Sequence, residues 1–506
     1  MREPLIPPSA VALLALLLAP RGEAAGPPCG TLTQLRTRIA SAPDEAGRTI
    51  AAAEVAACAG RHGTPLLSPG DAPGRLRALF LFRSAAPRVF LAGDMNGWST
   101  TAQPLERLAG SDLHALEIDV VDGARLDYKL VVGGTEWTLD PWNPRTMVGG
   151  YGPNSELRTP GYLPPAEVEL RPGTPRGRFE ELGVPSRALG GERRAVVWVP
   201  PGAASSAPMP VLYLLDGIDY REFAKVHTVA ENLLAAGRIP PLLLVLVPPG
   251  NRRLEYERHE PFERFLVDEL VPAVEAKYGV RRDRDGRGVL GVSLGGFAAL
   301  SAAARNPGAF GRCGAQSTGN ASPANFDALL SDLSRIPAGA ARFHLDVGTF
   351  ESDLHGANLL AASRRVRSAL ARRQLVQYRE VPEGHSWGSW RARVAEALTF
   401  FWGDEKPRSS PGARALVAPP AGAERFNGAR TSLDVKDADL ADVVRTLTAG
   451  RGLSVVAPSD FRGTVTATFR DVPWDQALDL ALSGNDWAFV QEGRVIRIVR
   501  RGDAAR

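Results

Sequence analysis

Cysteine and histidine are scarce in this sequence, since 506 residues contain only three cysteines and seven histidines. Neither a CxxC pair nor an HExxH motif occurs. The spacings typical of protein-bound metals are therefore missing, and we expect no metal site. Cys29 and Cys58 flank a predicted pair of helices and are candidates for a disulfide in an oxidising compartment. Cys313 lies in an apolar stretch and is expected to be a buried free thiol.

Long apolar runs are also missing near the N-terminus. The apolar stretch at residues 10–19 has ten residues, about half of the ~20 that a membrane-spanning helix needs. It follows Arg2 and precedes the small residues Ala24 and Ala25, which is the plan of a cleaved secretory signal. The sequence thus predicts a signal peptide at 1–25, no stable membrane span, and a periplasmic or secreted protein.

Charge of one sign is not concentrated anywhere in the chain. The formal net charge is +4, from 60 basic and 56 acidic residues. Even the most arginine-rich segment, residues 281–287, alternates basic with acidic side chains. Because no basic block is interleaved with aromatic residues, we expect no nucleic-acid partner.

The chain is long enough for several domains, and its patterns change along its length. The predicted order is a helical segment (26–75), short β runs typical of a sandwich (76–162), buried strands alternating with helices (165–403), a Pro- and Ala-rich linker (404–425) and a small α+β domain (426–502). Apolar strand runs separated by helices indicate an α/β domain with a parallel sheet covered on both faces.

The segment GVLGVSLGGFAAL, residues 288–300, carries the strongest chemical signal. An apolar strand runs into Gly-x-Ser-x-Gly and continues at once as an Ala-rich helix, which is the pattern of a nucleophile elbow. Gly291 and Gly295 leave room for a tight turn that exposes Ser293 above the sheet. Ser293 is therefore the candidate nucleophile.

A serine hydroxyl needs a base to take its proton, and that base needs an acid to orient it. His385 follows a predicted strand and precedes the last helix of the α/β region, so it is the candidate base. Glu351, in the loop after the strand ending at Gly348, is the favoured acid, with Asp353 as the alternative. The order serine, acid, histidine is that of the α/β-hydrolases.

An oxyanion formed during acyl transfer needs two fixed N–H donors. One is expected from Leu294, the residue after the nucleophile. The other is expected from Gly217 or Ile218 in the loop after the strand at 211–215, while Asp216 is interpreted as a cap of that turn.

Residues 168–403 resemble the enterochelin-esterase and esterase D-like branch of the α/β-hydrolases. The resemblance is carried by YLLDG (213–217), NRRLEY (251–256), DELVPAVEAKYGV (268–280), GVSLGGFAAL (291–300), AQSTGN (315–320) and GHSWGSW (384–390). It implies an α/β-hydrolase fold and places the acid at Glu351. The chain departs from the family at Ser386, where an aspartate is common.

Residues 78–159 are similar to the early-set sandwiches that precede many such esterases, and also to glycogen-binding domains. VFLAGDMNGW (89–98), DYKLVV (127–132), TEWTLDP (135–141) and GPNSEL (152–157) carry the similarity. By this resemblance Trp98, Lys129, Trp137 and Asn154 are candidates for carbohydrate binding, because aromatic faces stack on sugar rings. The same sandwich also occurs merely as a packing partner.

Residues 426–502 resemble the short domain at the N-terminus of secretins and TonB-dependent receptors. The matching pieces are SLDVKDADLADVVRTL (432–447), DVPWDQALDLAL (471–482) and GRVIRIV (493–499). The resemblance implies protein contacts in a Gram-negative envelope, with Trp474 in the domain core.

Three functions are compatible with these features. The first is an exported serine esterase without a cofactor, acting on catecholate siderophore esters, for which Arg252, Arg253 and Arg258 are candidate cationic contacts and Trp387 a candidate aromatic contact. The second is a carbohydrate esterase that removes acetyl or feruloyl groups from a polysaccharide. The third is a non-catalytic adaptor that binds a secretin or receptor through 426–502.

Overall fold

The computed structural model describes residues 28–203, 208–319, 321–403, 430–448, 453–458, 460–483, 485, 487–492 and 495–500. The predicted signal peptide and linker lie outside these ranges. The chain divides into two units, Met1–Ser410 and Pro411–Arg506. Each unit is described by itself.

The first unit opens with two helices, α1 (Leu32–Ala40) and α2 (Glu45–His62). Thr31 and Asp44 cap their N-termini by accepting hydrogen bonds from the backbone of the first turn. The Cys29–Cys58 disulfide joins the segment before α1 to α2, with Cα atoms 5.8 Å apart. The helical segment ends earlier than predicted, because strand β1 (Leu66–Pro69) already pairs with the following sheet.

The β region folds over on itself as a sandwich. Its sheet order is β1-β2-β5-β4-β3-β6-β9-β8, with β7 beside β6. Phe80 on β2 and Tyr128 on β6 have three strands between them, yet their rings meet at 5.0 Å in an edge contact. The remaining strands are β2 (Arg75–Arg83), β3 (Val89–Gly93), β4 (Gln103–Arg107), β5 (Leu113–Val121), β6 (Arg125–Val132), β7 (Glu136–Thr138), β8 (Thr146–Gly149) and β9 (Gly152–Arg158).

The α/β region is built on an eight-stranded sheet of order β10-β11-β13-β12-β14-β15-β16-β17. Strands β12 to β17 pair in parallel, as predicted, whereas β10 and β11 form an antiparallel hairpin at one edge. The strands are β10 (Arg178–Ser186), β11 (Gly191–Val199), β12 (Val211–Leu215), β13 (Leu243–Val247), β14 (Arg287–Val292), β15 (Arg312–Gln316), β16 (Arg342–Gly348) and β17 (Leu375–Val381).

Helices cover both faces of this sheet, which explains why β12 and β13 are apolar along their whole length. A π-helical turn at Phe265–Leu270 joins α6 to α7 as one longer helix. The helices are α3 (Gly217–Glu222), α4 (Val226–Ala235), α5 (Arg252–Tyr256), α6 (Glu260–Arg264), α7 (Val271–Lys277), α8 (Leu294–Arg305), α9 (Pro323–Arg335), α10 (Leu359–Leu370) and α11 (Trp387–Trp402).

Cys313 lies on β15 in the middle of this sheet. Its side chain is fully buried and makes no disulfide, as expected. Burial in apolar surroundings raises the pKa of its thiol far above the ordinary value.

The second unit has the order of elements that its sequence predicts: strand, helix, strand, strand, helix, hairpin. Trp474 is buried in its core, again as predicted. The elements are β18 (Arg430–Asp439), α12 (Leu440–Thr448), β19 (Ser454–Val456), β20 (Thr464–Pro473), α13 (Trp474–Ser483), β21 (Trp487–Glu492) and β22 (Val495–Arg500).

Among the described residues, no helix combines the length and apolarity required to cross a bilayer.

We expect the disulfide to stabilise the first unit measurably. It closes a loop across 29 sequence positions, and the loop-closure entropy of such a cross-link corresponds to about 3.6 kcal/mol of unfolding free energy. The double variant Cys29→Ser/Cys58→Ser should therefore unfold at a lower urea concentration in tryptophan fluorescence. The reduced wild type should have the same urea midpoint as the variant, and reductant should not change the midpoint of the variant. Equal midpoints for oxidised wild type and variant would contradict this prediction.

Candidate active site

Ser293 lies on a strained turn between β14 and α8. Its backbone has φ 54° and ψ −122°, a conformation that residues other than glycine rarely adopt. A Cβ atom on Gly291 would lie 2.2 Å from the carbonyl oxygen of Gly295, so the turn requires glycine there. The strain and the small neighbours together raise the serine side chain above the carboxyl end of the sheet.

His385 lies within hydrogen-bonding distance of both of its predicted partners. Its Nε2 atom is 3.0 Å from Ser293 Oγ, and its Nδ1 atom is 2.7 Å from Glu351 Oε2. An ionised carboxylate can only accept, so Nδ1 carries the ring proton in this bond and Nε2 is left as an acceptor for the serine hydroxyl. The imidazole is thus oriented to take a proton from Ser293.

Glu351 is almost completely buried, with 1% of its surface exposed. Its Oε1 atom accepts hydrogen bonds from the Gly348 backbone N–H and the Ser317 hydroxyl, each at 2.7 Å. Trp390 Nε1 donates to Ser317 Oγ at 2.9 Å and its ring meets His385 edge-on. Since both carboxylate oxygens have donors, the acid is fixed in one orientation.

The alternative acid does not take this position. Asp353 lies in the same loop, but its Oδ1 atom accepts a hydrogen bond from the backbone of Gly356. The geometry therefore favours Glu351 over Asp353 as the partner of His385.

The predicted oxyanion donors lie at the ends of neighbouring strands. β12 and β14 pair in parallel, so the turn at Gly217 and Ile218 comes beside the turn at Ser293 and Leu294. Leu294 and Gly217 are the first residues of α8 and α3, and the first N–H groups of a helix have no acceptor within it. These N–H groups are therefore available to an oxyanion.

The predicted capping role of the Asp216 side chain is wrong, because that side chain makes no cap hydrogen bond. Its carboxylate accepts two hydrogen bonds from Arg252, at 2.8 and 2.7 Å. Its backbone N–H donates to Tyr256 Oη at 2.7 Å. Asp216 thereby links the oxyanion turn to α5.

The candidate substrate-binding arginines are all engaged by acids. Besides the Arg252 pair, Arg253 is 3.4 Å from Glu257 and Arg258 is 2.8 Å from Asp332. Arg252 nevertheless keeps 42% of its side chain exposed, so it can still contact a substrate.

The structure places Trp387 in the core. The ring is buried and makes edge contacts with Tyr220 and Trp390 at 5.2 and 5.0 Å. Trp387 thus packs beneath the loop that carries His385. A ring buried in this way is not placed to make the predicted contact with a substrate.

A buried charge network lies behind the base. Arg393 on α11 donates to Asp346 at 2.7 Å and to Glu383 at 2.9 Å. Burial alone would raise the pKa of Asp346, but the charge of Arg393 and a hydrogen bond from His344 outweigh it and lower that pKa. Burial also raises the pKa of Glu383, and there Arg393 only partly offsets it. His344 is thus a core residue, as predicted.

The four candidate sugar-binding residues only partly share a surface. The Trp98 and Trp137 rings lie 6.4 Å apart and tilted by 33°, with Trp137 45% exposed. Lys129 Nζ reaches the carbonyl of Tyr151 at 3.4 Å. Asn154 instead donates to the buried Asp127 at 3.2 Å. Two tryptophans remain as a candidate aromatic surface.

Residues 186–401 match the family described as "Putative esterase". Together with the strand-elbow-helix geometry, this match decides what the region is. It is an esterase domain, of the carboxylic ester hydrolase class. The match lies inside the predicted bounds of 165–403.

The esterase domain also resembles individual proteins. The iron(III) enterobactin esterase of Dickeya dadantii is 28% identical over 308 residues, 51% of this chain and 69% of that protein. A crystal structure of the enterobactin esterase from Shigella flexneri superposes with a TM-score of 0.58 at 22% identity, covering 69% of this chain and 98% of that one. The structural likeness establishes an α/β-hydrolase fold preceded by a β-rich domain.

Residues 453–501 match the secretin and TonB N terminus short domain. The type IV pilus biogenesis and competence protein PilQ of Neisseria meningitidis is 33% identical over 78 residues. That alignment takes 15% of this chain and spans only 10% of PilQ. The likeness indicates a Gram-negative envelope context.

Proposed function

We propose that the protein is a serine esterase that works by two-step acyl transfer. Ser293 Oγ bonds to the ester carbonyl carbon while His385 Nε2 takes the hydroxyl proton. His385 then gives this proton to the departing alcohol as its C–O bond breaks. Water repeats the sequence on the acyl-enzyme and releases the acid. Every step uses side chains and backbone of the chain itself, so the reaction as proposed requires no cofactor.

One observation carries this proposal, namely the unbroken chain of hydrogen bonds from Ser293 through His385 to Glu351. In this mechanism Glu351 holds the imidazole tautomer and stabilises the imidazolium. The N–H groups of Leu294 and of Gly217 or Ile218 stabilise the oxyanion. Each such donor is worth about 3 kcal/mol of transition-state stabilisation.

The favoured substrate is a catecholate siderophore ester of the enterobactin type. The likeness to enterobactin esterases supports it, because one such relative aligns over 69% of its own length. The partly exposed Arg252 offers a cationic contact for an anionic ferric complex. Hydrolysis would open the ligand and free its iron.

A carbohydrate ester is the second candidate, and the tilted Trp98–Trp137 pair specifically favours it. If this surface holds a polysaccharide, Trp137→Ala should raise the KM for acetylated xylan about fivefold, since stacking of this kind is worth about 1 kcal/mol. The KM for a small soluble ester should not change. Trp142, half-buried in the same region, serves as the matched control position.

The C-terminal unit is proposed to anchor the enzyme to an envelope protein. Domains of the matched type are named for secretins and TonB-dependent proteins, so residues 426–502 are the proposed docking module. With a signal peptide at 1–25, the chain would act in the periplasm or outside the cell. A purely adaptor role remains the competing idea.

An ester panel tests the proposal. Ferric enterobactin, acetylated xylan and feruloyl esters are each incubated with the full chain, and products are separated by chromatography. Siderophore hydrolysis without xylan deacetylation supports the favoured substrate, and activity on xylan alone rejects it. A wild type that hydrolyses no ester and takes up no fluorophosphonate would favour the adaptor.

A further inference from the structure

The loop that carries His385 is contacted from two sides. On one side lie the groups of the esterase domain already described. On the other side lies the sandwich, and its contacts fall on the residues immediately before and after the histidine. Gly384 lies against a buried acidic side chain of the sandwich, and Ser386 accepts a hydrogen bond from a buried arginine of the sandwich.

Arg125, the first residue of β6, makes the main contact. Its Nη1 atom donates to Ser386 Oγ at 2.9 Å, and its backbone N–H donates to the carbonyl of Pro382 at 3.1 Å. A Cβ atom on Gly388 would lie 1.9 Å from Arg125 Nη2. The arginine thus reaches the loop before His385 and the first turn of α11 after it.

The guanidinium of Arg125 is itself fixed. Only 1% of the residue is exposed, and Nη2 donates to Asp127 at 2.8 Å and to Glu156 at 2.5 Å. A planar guanidinium held by two carboxylates at one nitrogen presents the other nitrogen in a set direction. Ser386 therefore receives its hydrogen bond from a rigid donor.

Asp94 makes the second contact. Its carboxylate is held by the backbone N–H of Asp127 at 2.7 Å and by Trp98 Nε1 at 3.0 Å. It lies directly against Gly384, where an added Cβ would come within 1.9 Å of Asp94 Cγ. Only glycine fits between this carboxylate and the base.

We propose that Arg125 is a positioning residue, which sets the position of His385 through Ser386 and so makes the sandwich part of the esterase active site. The inference rests on the proposed role of His385 as base. It assigns the sandwich a task that needs no sugar ligand. The fixed position matters because an error of about 1 Å in the placement of a catalytic group can cost about 100-fold in rate.

Removal of Arg125 would take a positive partner away from the buried acids Asp127 and Glu156, so the test begins at its other partner, Ser386. Ser386→Ala removes the acceptor of the Arg125 hydrogen bond, whereas Ser386→Asp keeps an acceptor there. Arg125→Lys keeps the positive charge, but a single amino group cannot reach Ser386, Asp127 and Glu156 together. Because Ser386 also caps α11, the Arg125→Lys variant separates loss of this contact from loss of the cap. Ser301→Ala is the control, since Ser301 is also buried and donates a hydrogen bond to Glu263.

The rate is measured on p-nitrophenyl butyrate and divided by the number of fluorophosphonate-reactive sites. Ser386→Ala and Arg125→Lys should each lower kcat about 10- to 100-fold with little change in KM. Ser386→Asp should restore most of kcat, and the double variant Ser386→Ala/Arg125→Lys should be no slower than the slower single variant. A merely structural contact would instead lower the Tm and the number of reactive sites and leave kcat per site unchanged.

Hydrogen exchange of the peptide 382–390 provides a readout that does not depend on turnover. Exchange should rise in Ser386→Ala and in Arg125→Lys but not in Ser301→Ala. Unchanged exchange in the first two variants overturns the inference whether or not the wild type is active. An inert wild type would overturn the proposed function alone, and the exchange result would still decide the role of Arg125.

Discussion

Ser293→Ala should lower kcat for ester hydrolysis by about four to six orders of magnitude. Without the hydroxyl no acyl-enzyme can form, and only oxyanion stabilisation and binding remain to accelerate the attack of water. The strained backbone accepts alanine as it accepts serine, so the fold should persist. The measurement is the initial rate on p-nitrophenyl butyrate together with labelling by a fluorophosphonate.

Ser301→Ala is the matched control for this variant. Ser301 lies two turns further along the same helix α8 and donates to Glu263 at 3.0 Å. The control should keep its rate within a few-fold and label normally. Residual labelling of Ser293→Ala at the wild-type level would place the nucleophile elsewhere and reject the mechanism.

Glu351→Gln should lower kcat by about four orders of magnitude while KM changes little. The amide keeps the size of the acid but no longer favours the His385 tautomer with its proton on Nδ1, and it cannot stabilise an imidazolium. Because the Gly348 N–H and the Ser317 hydroxyl both donate to Oε1 in the wild type, the amide oxygen should keep that place and the NH2 group should face His385 Nδ1. The loss should therefore appear in the chemical step.

Asp353→Asn tests the choice between the two acids. The Asp353 carboxylate accepts a hydrogen bond from the Gly356 backbone and holds no catalytic group, so its replacement should lower kcat by less than about tenfold. Circular dichroism would show that both variants are folded. A larger loss in Asp353→Asn than in Glu351→Gln would reverse the assignment of the acid.

Local sequence patterns single out the three residues that the structure brings together at the centre of the candidate site. The elbow is a contiguous motif, and Glu351 and His385 each follow the end of a parallel strand. Because the carboxyl ends of parallel strands meet at one edge, the residues that follow three such strands are expected to lie close together. The same reasoning predicts the α/β sheet and the small C-terminal domain.

Contacts between segments that are far apart in the chain leave no local pattern in the sequence. Arg125 and Ser386 are 261 positions apart, and an arginine at the start of a strand looks like ordinary surface charge. The pairing of Asp216 with Arg252 and the burial of Trp387 likewise depend on tertiary packing. The start of the sheet at β1 was missed because this four-residue strand lies between Pro65 and its own last residue Pro69, and prolines at such close spacing are typical of a turn.

The thiol buried on β15 can report whether the central sheet of the protein is folded. With Cys29 and Cys58 joined, a maleimide can react only at Cys313, and burial together with the raised pKa of that thiol leaves almost no thiolate to react. Uptake of the reagent by an unreduced sample therefore counts the molecules whose central sheet has come apart.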